Sequence, residues 1–127
     1  MLNVNPDTVC RLILLAREFH AQEDVTIPEA PSTPSGDWAV QMLASHADDA
    51  SFDEFRSIVQ DLEPDQQQEV VALLWLGRED FSSDEWEAAL EMAADNWTPE
   101  TAEYLIAHPL LPTHLENGLD FLGYSCS

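Results

Sequence analysis

The chain has 127 residues, of which 45% are hydrophobic, and this length and composition are typical of a single globular domain. It contains 25 acidic residues but only four basic ones, all of them arginine, so its formal net charge is −21. Such a charge repels phosphate backbones and anionic lipid surfaces, and we therefore expect no direct nucleic-acid binding and no membrane association. The absence of lysine excludes Schiff-base and P-loop lysine chemistry.

The N-terminal part of the chain predicts two helices that are separated by an irregular connection. Residues 5–7 read Asn-Pro-Asp, which is a helix start, and apolar residues at three- and four-residue steps continue the helix to about residue 23. Three prolines and one glycine interrupt regular structure over residues 24–36. We predict the second helix over about residues 37–47.

The third and fourth predicted helices occupy the middle of the chain. Ser51 and Glu54 have the spacing of a capping box, which predicts that the third helix starts there. Pro64 is suited to the first position of the fourth helix. Gly77 follows its last apolar residues, and a left-handed C-terminal cap is expected at that position.

Three more helices are predicted in the C-terminal part. Residues 82–85 form a second capping box before the fifth helix, which Asn96 ends. Residues 98–100 read Thr-Pro-Glu and predict the start of a sixth helix that runs to about His108. The seventh helix is predicted over residues 112–123. The sequence therefore predicts one all-α domain over residues 1–127, a compact bundle of about six to seven short helices without a sheet.

Two cysteines, Cys10 and Cys126, lie near opposite ends of the chain. Neither belongs to a CxxC motif or to a cluster with histidine, so we expect both to be free thiols. The N-terminus lacks the pattern of a signal peptide, and the apolar segment 9–16 is too short to span a bilayer. The expected location is the reducing cytoplasm.

Two segments of the sequence resemble a known family. The centre of the chain reads Trp75-Leu76-Gly77-Arg78, and the C-terminal end reads Gly123-Tyr124-Ser125-Cys126. With the residues around them, these segments resemble the small bacterial family called domain of unknown function 3775, over nearly the whole chain. The resemblance implies a helical protein, and it implies no activity and no functional residue. Glu79 stands where a glycine is expected in that family.

The densest group of chemically interesting residues lies between the two tryptophans of the fourth and fifth helices. An arginine framed by aromatic rings can bind a carboxylate of a ligand or of a partner protein. The same residues can also fill the core around an internal ion pair, and we favour that interpretation. The candidate site for a partner or a ligand comprises Trp75, Arg78, Asp80, Trp86, Tyr104 and His108.

The sequence contains no motif that identifies a catalytic, cofactor or metal site. The four histidines form no compact ligand motif, although His46 with neighbouring aspartates, or His108 with His114, could meet at a metal in the folded chain. The acidic clusters do not fit the spacing of an EF-hand. Cys126 lies too close to the end of the chain for nucleophilic catalysis to be a good hypothesis. We therefore expect no catalytic residue, no cofactor and no metal.

Several functions remain compatible with this sequence. The first is an acidic protein-interaction module that binds a basic partner or a second copy of itself as a homodimer. The second is a small-ligand binder or an enzyme that uses the residues between Trp75 and Trp86. A protein that mimics nucleic acid is a third hypothesis. The acidity can also reflect solubility, a saline habitat or base composition alone.

Overall fold

The computed structural model describes residues 2–21 and 50–126, and within these two stretches the chain forms helices and no strand. The α-helices are α1 (Pro6–His20), α2 (Ala50–Asp61), α3 (Pro64–Gly77), α4 (Trp86–Asp95), α5 (Thr101–Ile106) and α6 (Leu111–Phe121), and a 3-10 turn (Ser83–Glu85) precedes α4. The prediction of an all-α protein is confirmed. The helix predicted at 37–47 and the connection predicted at 24–36 lie outside the described residues.

Several helix ends follow the local signals in the sequence. The Asn5 side chain accepts a hydrogen bond from the Asp7 backbone N–H at 2.9 Å and so caps α1. Pro64 is the first residue of α3, and the predicted capping box between Ser82 and Glu85 is present at the 3-10 turn. At Asn5 and at Ser82–Glu85 the side chains satisfy nearby backbone N–H groups, and Pro64 has no N–H that needs a partner.

Other predicted helix starts and ends are wrong. Ser51 lies inside α2, which begins at Ala50, and its hydroxyl donates to the carboxylate of Glu18 at 3.4 Å. Helix α5 begins at Thr101 and not at Thr98, because the Thr98 hydroxyl accepts the Glu100 N–H at 3.3 Å in a turn before the helix. Helix α1 ends at His20, a few residues before its predicted end.

Helix α3 is the centre of the bundle, and α4, α5 and α6 all pack against it. Residues 70–76 are seven consecutive residues of which none is more than 3% exposed. A helix that is apolar on all sides must be surrounded by other helices to remove its surface from water. Helix α1 packs on α2 and α6, and α2 packs on α5, so these elements complete the bundle.

Two glycines allow α3 and α6 to approach until their backbones touch. A Cβ added to Gly77 would lie 1.7 Å from the carbonyl oxygen of His114, and one added to Gly118 would lie 2.4 Å from that of Leu73. Gly77 is the last residue of α3 and does not adopt the left-handed conformation predicted for it. That prediction was wrong because Gly77 meets a demand of helix packing and not one of helix termination.

A buried carboxylate attaches the N-terminal segment to α3. Glu69 is 4% exposed, and its Oε1 accepts the backbone N–H groups of Asn3 at 2.9 Å and Val4 at 2.7 Å. Gln66 donates from its side chain to the Asn3 carbonyl at 3.2 Å. Residues before α1 are therefore held by hydrogen bonds to a charged group in the core.

We expect Glu69→Ala to lower the free energy of unfolding by about 3 kcal/mol, because two backbone N–H groups would lose a charged acceptor. Glu69→Gln keeps one acceptor oxygen and should have a smaller effect. The measurement is urea unfolding followed by circular dichroism. Glu91→Ala, at an exposed glutamate of α4, is the control for loss of charge and should change stability little. Equal effects of Glu69→Ala and Glu91→Ala would contradict the assigned role.

The cysteines form a disulfide between α1 and the C-terminal tail. Cys10 and Cys126 are bonded, and their Cα atoms are 5.6 Å apart, within the range that a disulfide requires. The prediction of free thiols was wrong because 116 positions separate the two residues and only the folded chain brings them together. The expectation of a cytoplasmic location therefore loses the support that free thiols would have given it.

Candidate functional site

The segment that follows α3 turns sharply in a Schellman motif. The Glu79 N–H donates to the Leu76 carbonyl and the Asp80 N–H donates to the Trp75 carbonyl, both at 3.0 Å. Glu79 has a φ of 68°, in the left-handed region that favours glycine. The family resemblance predicts a glycine at this position, and the backbone here has the conformation that favours glycine.

We expect Glu79→Gly to raise the free energy of unfolding by about 1 kcal/mol, because glycine adopts a positive φ without steric penalty. The gain is partly offset by the greater entropy that glycine has in the unfolded chain. Urea unfolding of the variant beside the parent protein measures the difference. Glu79→Ala, which removes the same charge but retains a Cβ, is the matched control. A stabilisation of equal size in both variants would assign the effect to charge.

A chain of polar contacts runs through the core beside this turn. The indole Nε1–H of Trp75 donates to the Tyr104 hydroxyl at 3.1 Å. The ring of Tyr104 packs edge-on against the imidazole of His108, with centroids 4.7 Å apart. Since a carbonyl oxygen only accepts, His108 donates from Nδ1 to the Tyr104 carbonyl, at 2.9 Å. Its Nε2 is then an acceptor when the ring is neutral.

Arg78 continues the polar chain to the surface, because its guanidinium donates a hydrogen bond to the Tyr104 hydroxyl. Its Nε lies 3.5 Å from Oδ2 of Asp80, and its side chain is 25% exposed. Among the described residues, three buried nitrogen atoms of this region make no hydrogen bond: Arg78 Nη1, His108 Nε2 and His114 Nδ1. Burial, and secondarily the charge of Arg78, lowers the pKa of both histidines, that of His108 to about 4.

The structure brings five of the six candidate residues into this polar chain. Trp75, Tyr104 and His108 are buried, whereas Arg78 is half-buried and Asp80 is exposed. The sixth, Trp86, is buried at the start of α4, and no hydrogen bond or ring contact within the described residues links it to the other five. Most of the candidate site is therefore core, and only its acidic and basic end reaches the solvent.

We expect acid to destabilise the protein through His108. In the unfolded chain histidine has a pKa near 6.5, so between about pH 6.5 and 4 the unfolded state binds a proton that the folded state does not. The contribution of this group is at its most favourable above pH 6.5, and about 3 kcal/mol is lost as the pH falls to 4. His108→Asn keeps a donor for the Tyr104 carbonyl and removes the titration.

Urea unfolding at pH 7 and at pH 4.5 measures this effect for the parent and the variant. The many carboxylates and the other histidines are common to both proteins, so the comparison isolates His108. The stability difference between parent and variant should shrink at the lower pH. A difference that stays constant between the two pH values would contradict the prediction.

A groove opens on the outer side of the same turn, and we call it the Phe121 groove. It has a volume of about 390 Å³ and lies between the connection that follows α3 and the C-terminal end of α6. Its lining residues are Leu76, Glu79, Phe81, Ser82, Ser83, Glu85 and Phe121. Phe121 is 50% exposed, which is unusual for a phenylalanine in a small domain. The groove is therefore lined by three apolar side chains, two serines and two glutamates.

The sequence pattern indicated the turn but gave no sign of this outer surface. Leu115, Leu119 and Leu122 predicted the apolar side of the last helix, and Phe121 falls outside that side. An aromatic residue off the apolar stripe of a helix is the signal that could have revealed the groove. Leu76 and Phe81 gave no such signal, because apolar residues at a helix end are usually core.

All four arginines form ion pairs within the chain. Their nitrogen–carboxylate pairs are Arg11–Glu54, Arg17–Glu116, Arg56–Asp53 with Arg56–Glu103, and Arg78–Asp80. Each pair is at least partly exposed, so it adds little to stability. The pairing matters more for the recognition of partners, because every arginine charge already has an acidic neighbour within the chain.

The described part of the chain offers no ready metal site. No three His, Cys, Asp or Glu side chains among residues 2–21 and 50–126 are placed to hold an ion together. The pair His108 and His114 lies beside Arg78, whose charge opposes a cation. His46 and its neighbouring aspartates lie outside the described residues. Among the described helices, none is long and apolar enough to cross a membrane.

Comparison with known proteins places the chain in a family. No curated protein and no solved structure matches it. A family model described as protein of unknown function (DUF3775) matches residues 52–124, which is more than half of the chain. These residues span α2 to α6 and include the turn after α3 and the Phe121 groove. The chain therefore belongs to the DUF3775 family of proteins of unknown function.

Proposed function

We propose that the protein is a binding module for a basic segment of another protein. The observation that carries this proposal is the internal pairing of all four arginines in a chain with a net charge of −21. Because the arginine charges are neutralised within the chain, the remaining carboxylates are available to the cationic groups of a partner. Lysine and arginine side chains of a partner are their natural counterparts, and the long-range field accelerates the encounter.

The charge also argues against the other partners considered. Two copies of a chain with this net charge repel each other, so a homodimer would have to overcome that repulsion. Nucleic acid is repelled for the same reason. The exposed large apolar residues are distributed over three helices and two connections, namely Leu14, Met92, Phe121, Trp97 and Leu110. They supply apolar contact area for a partner that the charge first attracts.

Affinity purification of the full chain from its own cells, with identification of the bound proteins, begins the test. Each candidate is then purified, and its affinity is measured by isothermal titration calorimetry at low and at moderate salt. We expect a partner whose contact segment is rich in lysine and arginine and whose affinity falls steeply with salt. A purified partner with an acidic contact segment, or no direct binding by any candidate, would overturn the proposal.

A second candidate function is the binding of a small polar ligand beside Arg78. The observation that favours it is the group of buried nitrogens without a hydrogen bond, Arg78 Nη1, His108 Nε2 and His114 Nδ1. A ligand with both a donor and an acceptor would complement them, because a neutral imidazole nitrogen accepts while the guanidinium donates. NMR titration of the histidine ring resonances with acetamide and with hydrogen phosphate, each of which both donates and accepts, tests this. Unchanged resonances at millimolar ligand would remove the idea.

A further inference from the structure

We propose that the Phe121 groove is the docking site for the partner segment, with one apolar side chain as anchor and lysine or arginine residues on either side of it. This inference rests on the proposed function and specifies where on the surface that function resides. The groove is formed where the turn after α3 passes the end of α6. The backbones of these two helices are in direct contact at Gly77 and His114, so the groove has a rigid frame.

The apolar part of the groove's lining is suited to an apolar side chain. Leu76 is buried, Phe81 is half-buried and Phe121 is half exposed, so the apolar surface extends from the core to the solvent. The centroid of the Phe81 ring lies 6.1 Å from that of the buried Trp75 ring, so Phe81 packs against the core. A volume of about 390 Å³ is at the small end of the range of roughly 300–1,000 Å³ for ligand sites. It therefore admits a few side chains of an extended segment and not a whole domain.

The polar part of the groove's lining consists of two glutamates and two serines, so its charge is negative. Glu79 and Glu85 are exposed lining residues, and the exposed Asp80 and Asp84 lie next to them in the chain. Arg78 is the nearest basic residue in sequence, and it is paired with Asp80. No lining residue carries a positive charge. The groove thus matches a segment with cationic side chains and opposes one with carboxylates.

The two features have separate roles in recognition. Covering Phe121 removes from water a ring that is half exposed, and aromatic residues in such positions commonly dominate binding energy. The two lining glutamates steer the segment and exclude acidic competitors, and their pairs remain partly solvated. Affinity should therefore depend mainly on the anchor, while selectivity and salt dependence should depend on the charges.

The experiment uses the full chain and synthetic peptides, with fluorescence anisotropy as the readout. The probe is a short peptide in which a single phenylalanine is flanked by lysine and arginine residues. The first comparison peptide replaces the phenylalanine by serine, and the second replaces the basic residues by glutamate. We expect the probe to bind, the serine peptide to bind roughly tenfold more weakly, and the glutamate peptide not to bind.

Two variants remove the features of the groove, and each has a matched control elsewhere on the surface. Phe121→Ser is compared with Leu110→Ser, since Leu110 is 60% exposed and does not line the groove. The double variant Glu79→Gln with Glu85→Gln is compared with Glu87→Gln combined with Glu91→Gln, which makes the same change in net charge on α4. Glutamine at position 85 preserves the capping box, and circular dichroism checks the fold of every variant.

We expect Phe121→Ser to weaken binding of the probe by roughly tenfold or more and Leu110→Ser by less than about twofold. The groove double variant should lose more affinity and more salt dependence than its charge-matched control. If the groove variants and their controls lose affinity equally, the docking site is wrong although a basic partner is still supported. If neither the probe nor any purified basic protein binds at low salt, the proposed function fails as well.

Discussion

Gly77→Ala should be the most destabilising single substitution in the chain, lowering the free energy of unfolding by about 4 kcal/mol or more. The added Cβ would lie 1.7 Å from the His114 carbonyl oxygen and 2.6 Å from its carbon. Both atoms belong to a backbone, and a backbone cannot rotate away as the end of a side chain can. Relief requires α6 to move off α3, which would open the most central contact of the bundle.

Urea unfolding provides the measurement, and two other glycines supply the comparison. Gly118→Ala places its Cβ 2.4 Å from the Leu73 carbonyl oxygen and should be nearly as harmful. Gly123→Ala meets nothing within 4 Å, although Gly123 has a φ of 89°, so it should lose only about 1 kcal/mol to backbone conformation. If Gly77→Ala loses no more than Gly123→Ala, the close approach of the helices is wrong. A variant that fails to fold at all agrees with the prediction.

The three glycines also explain why the sequence predicted the helices more accurately than the contacts between the helices. A glycine after an apolar stretch indicates a left-handed cap, and Gly123 confirms that at the end of α6. Gly77 has the same sequence context but allows two backbones to meet instead. The left-handed residue after α3 is Glu79, which local propensity disfavours. Only the neighbouring helix distinguishes these cases, and its position is not encoded locally.

The starts of the helices also show that local sequence does not determine contacts between helices. Pro64 and the capping box at Ser82 act on their own backbone neighbours, and the predictions there were right. Ser51 and Thr98 also have capping patterns, yet one lies inside a helix and the other supports a turn before a helix. The hydroxyl of Ser51 lies 3.4 Å from the carboxylate of Glu18 on α1, so its side chain takes part in a contact across the bundle. Tertiary contacts thus override patterns that are locally plausible.

Around the candidate site, the sequence predicted close packing of the residues but not which of them face the solvent. The aromatic density around Trp75 correctly indicated a tightly packed region with Arg78 at its edge. Sequence spacing could not tell that Tyr104 and His108 face the core while Phe121 faces the solvent. Which side of a short helix is exposed depends on where the other helices lie. The surface that we propose for binding therefore emerged only from the folded arrangement.

Loss of the disulfide should have the second largest effect. In a double variant with Cys10→Ser and Cys126→Ser we expect the free energy of unfolding to fall by about 4 kcal/mol, because a closed loop of this length strongly restricts the unfolded chain. The bond joins residues 116 positions apart, so nearly the whole protein lies inside the loop. Native helices should remain, since the bond links α1 to the tail and lies outside the central contact of α3 with α6.

Urea unfolding of the parent protein is followed with and without a dithiol reductant, and the serine double variant is the control for effects of the reductant itself. Reductant should shift the parent to the midpoint of the variant and leave the variant unchanged. The urea dependence should also be steeper without the bond, because an uncrosslinked unfolded chain exposes more surface. The bond does not form if the reductant leaves the unfolding midpoint of the parent unchanged and the unreduced, unfolded parent contains two titratable thiols. An unchanged urea dependence with a lower midpoint would instead place the stabilisation in the folded state, where the bond holds the tail beside α1.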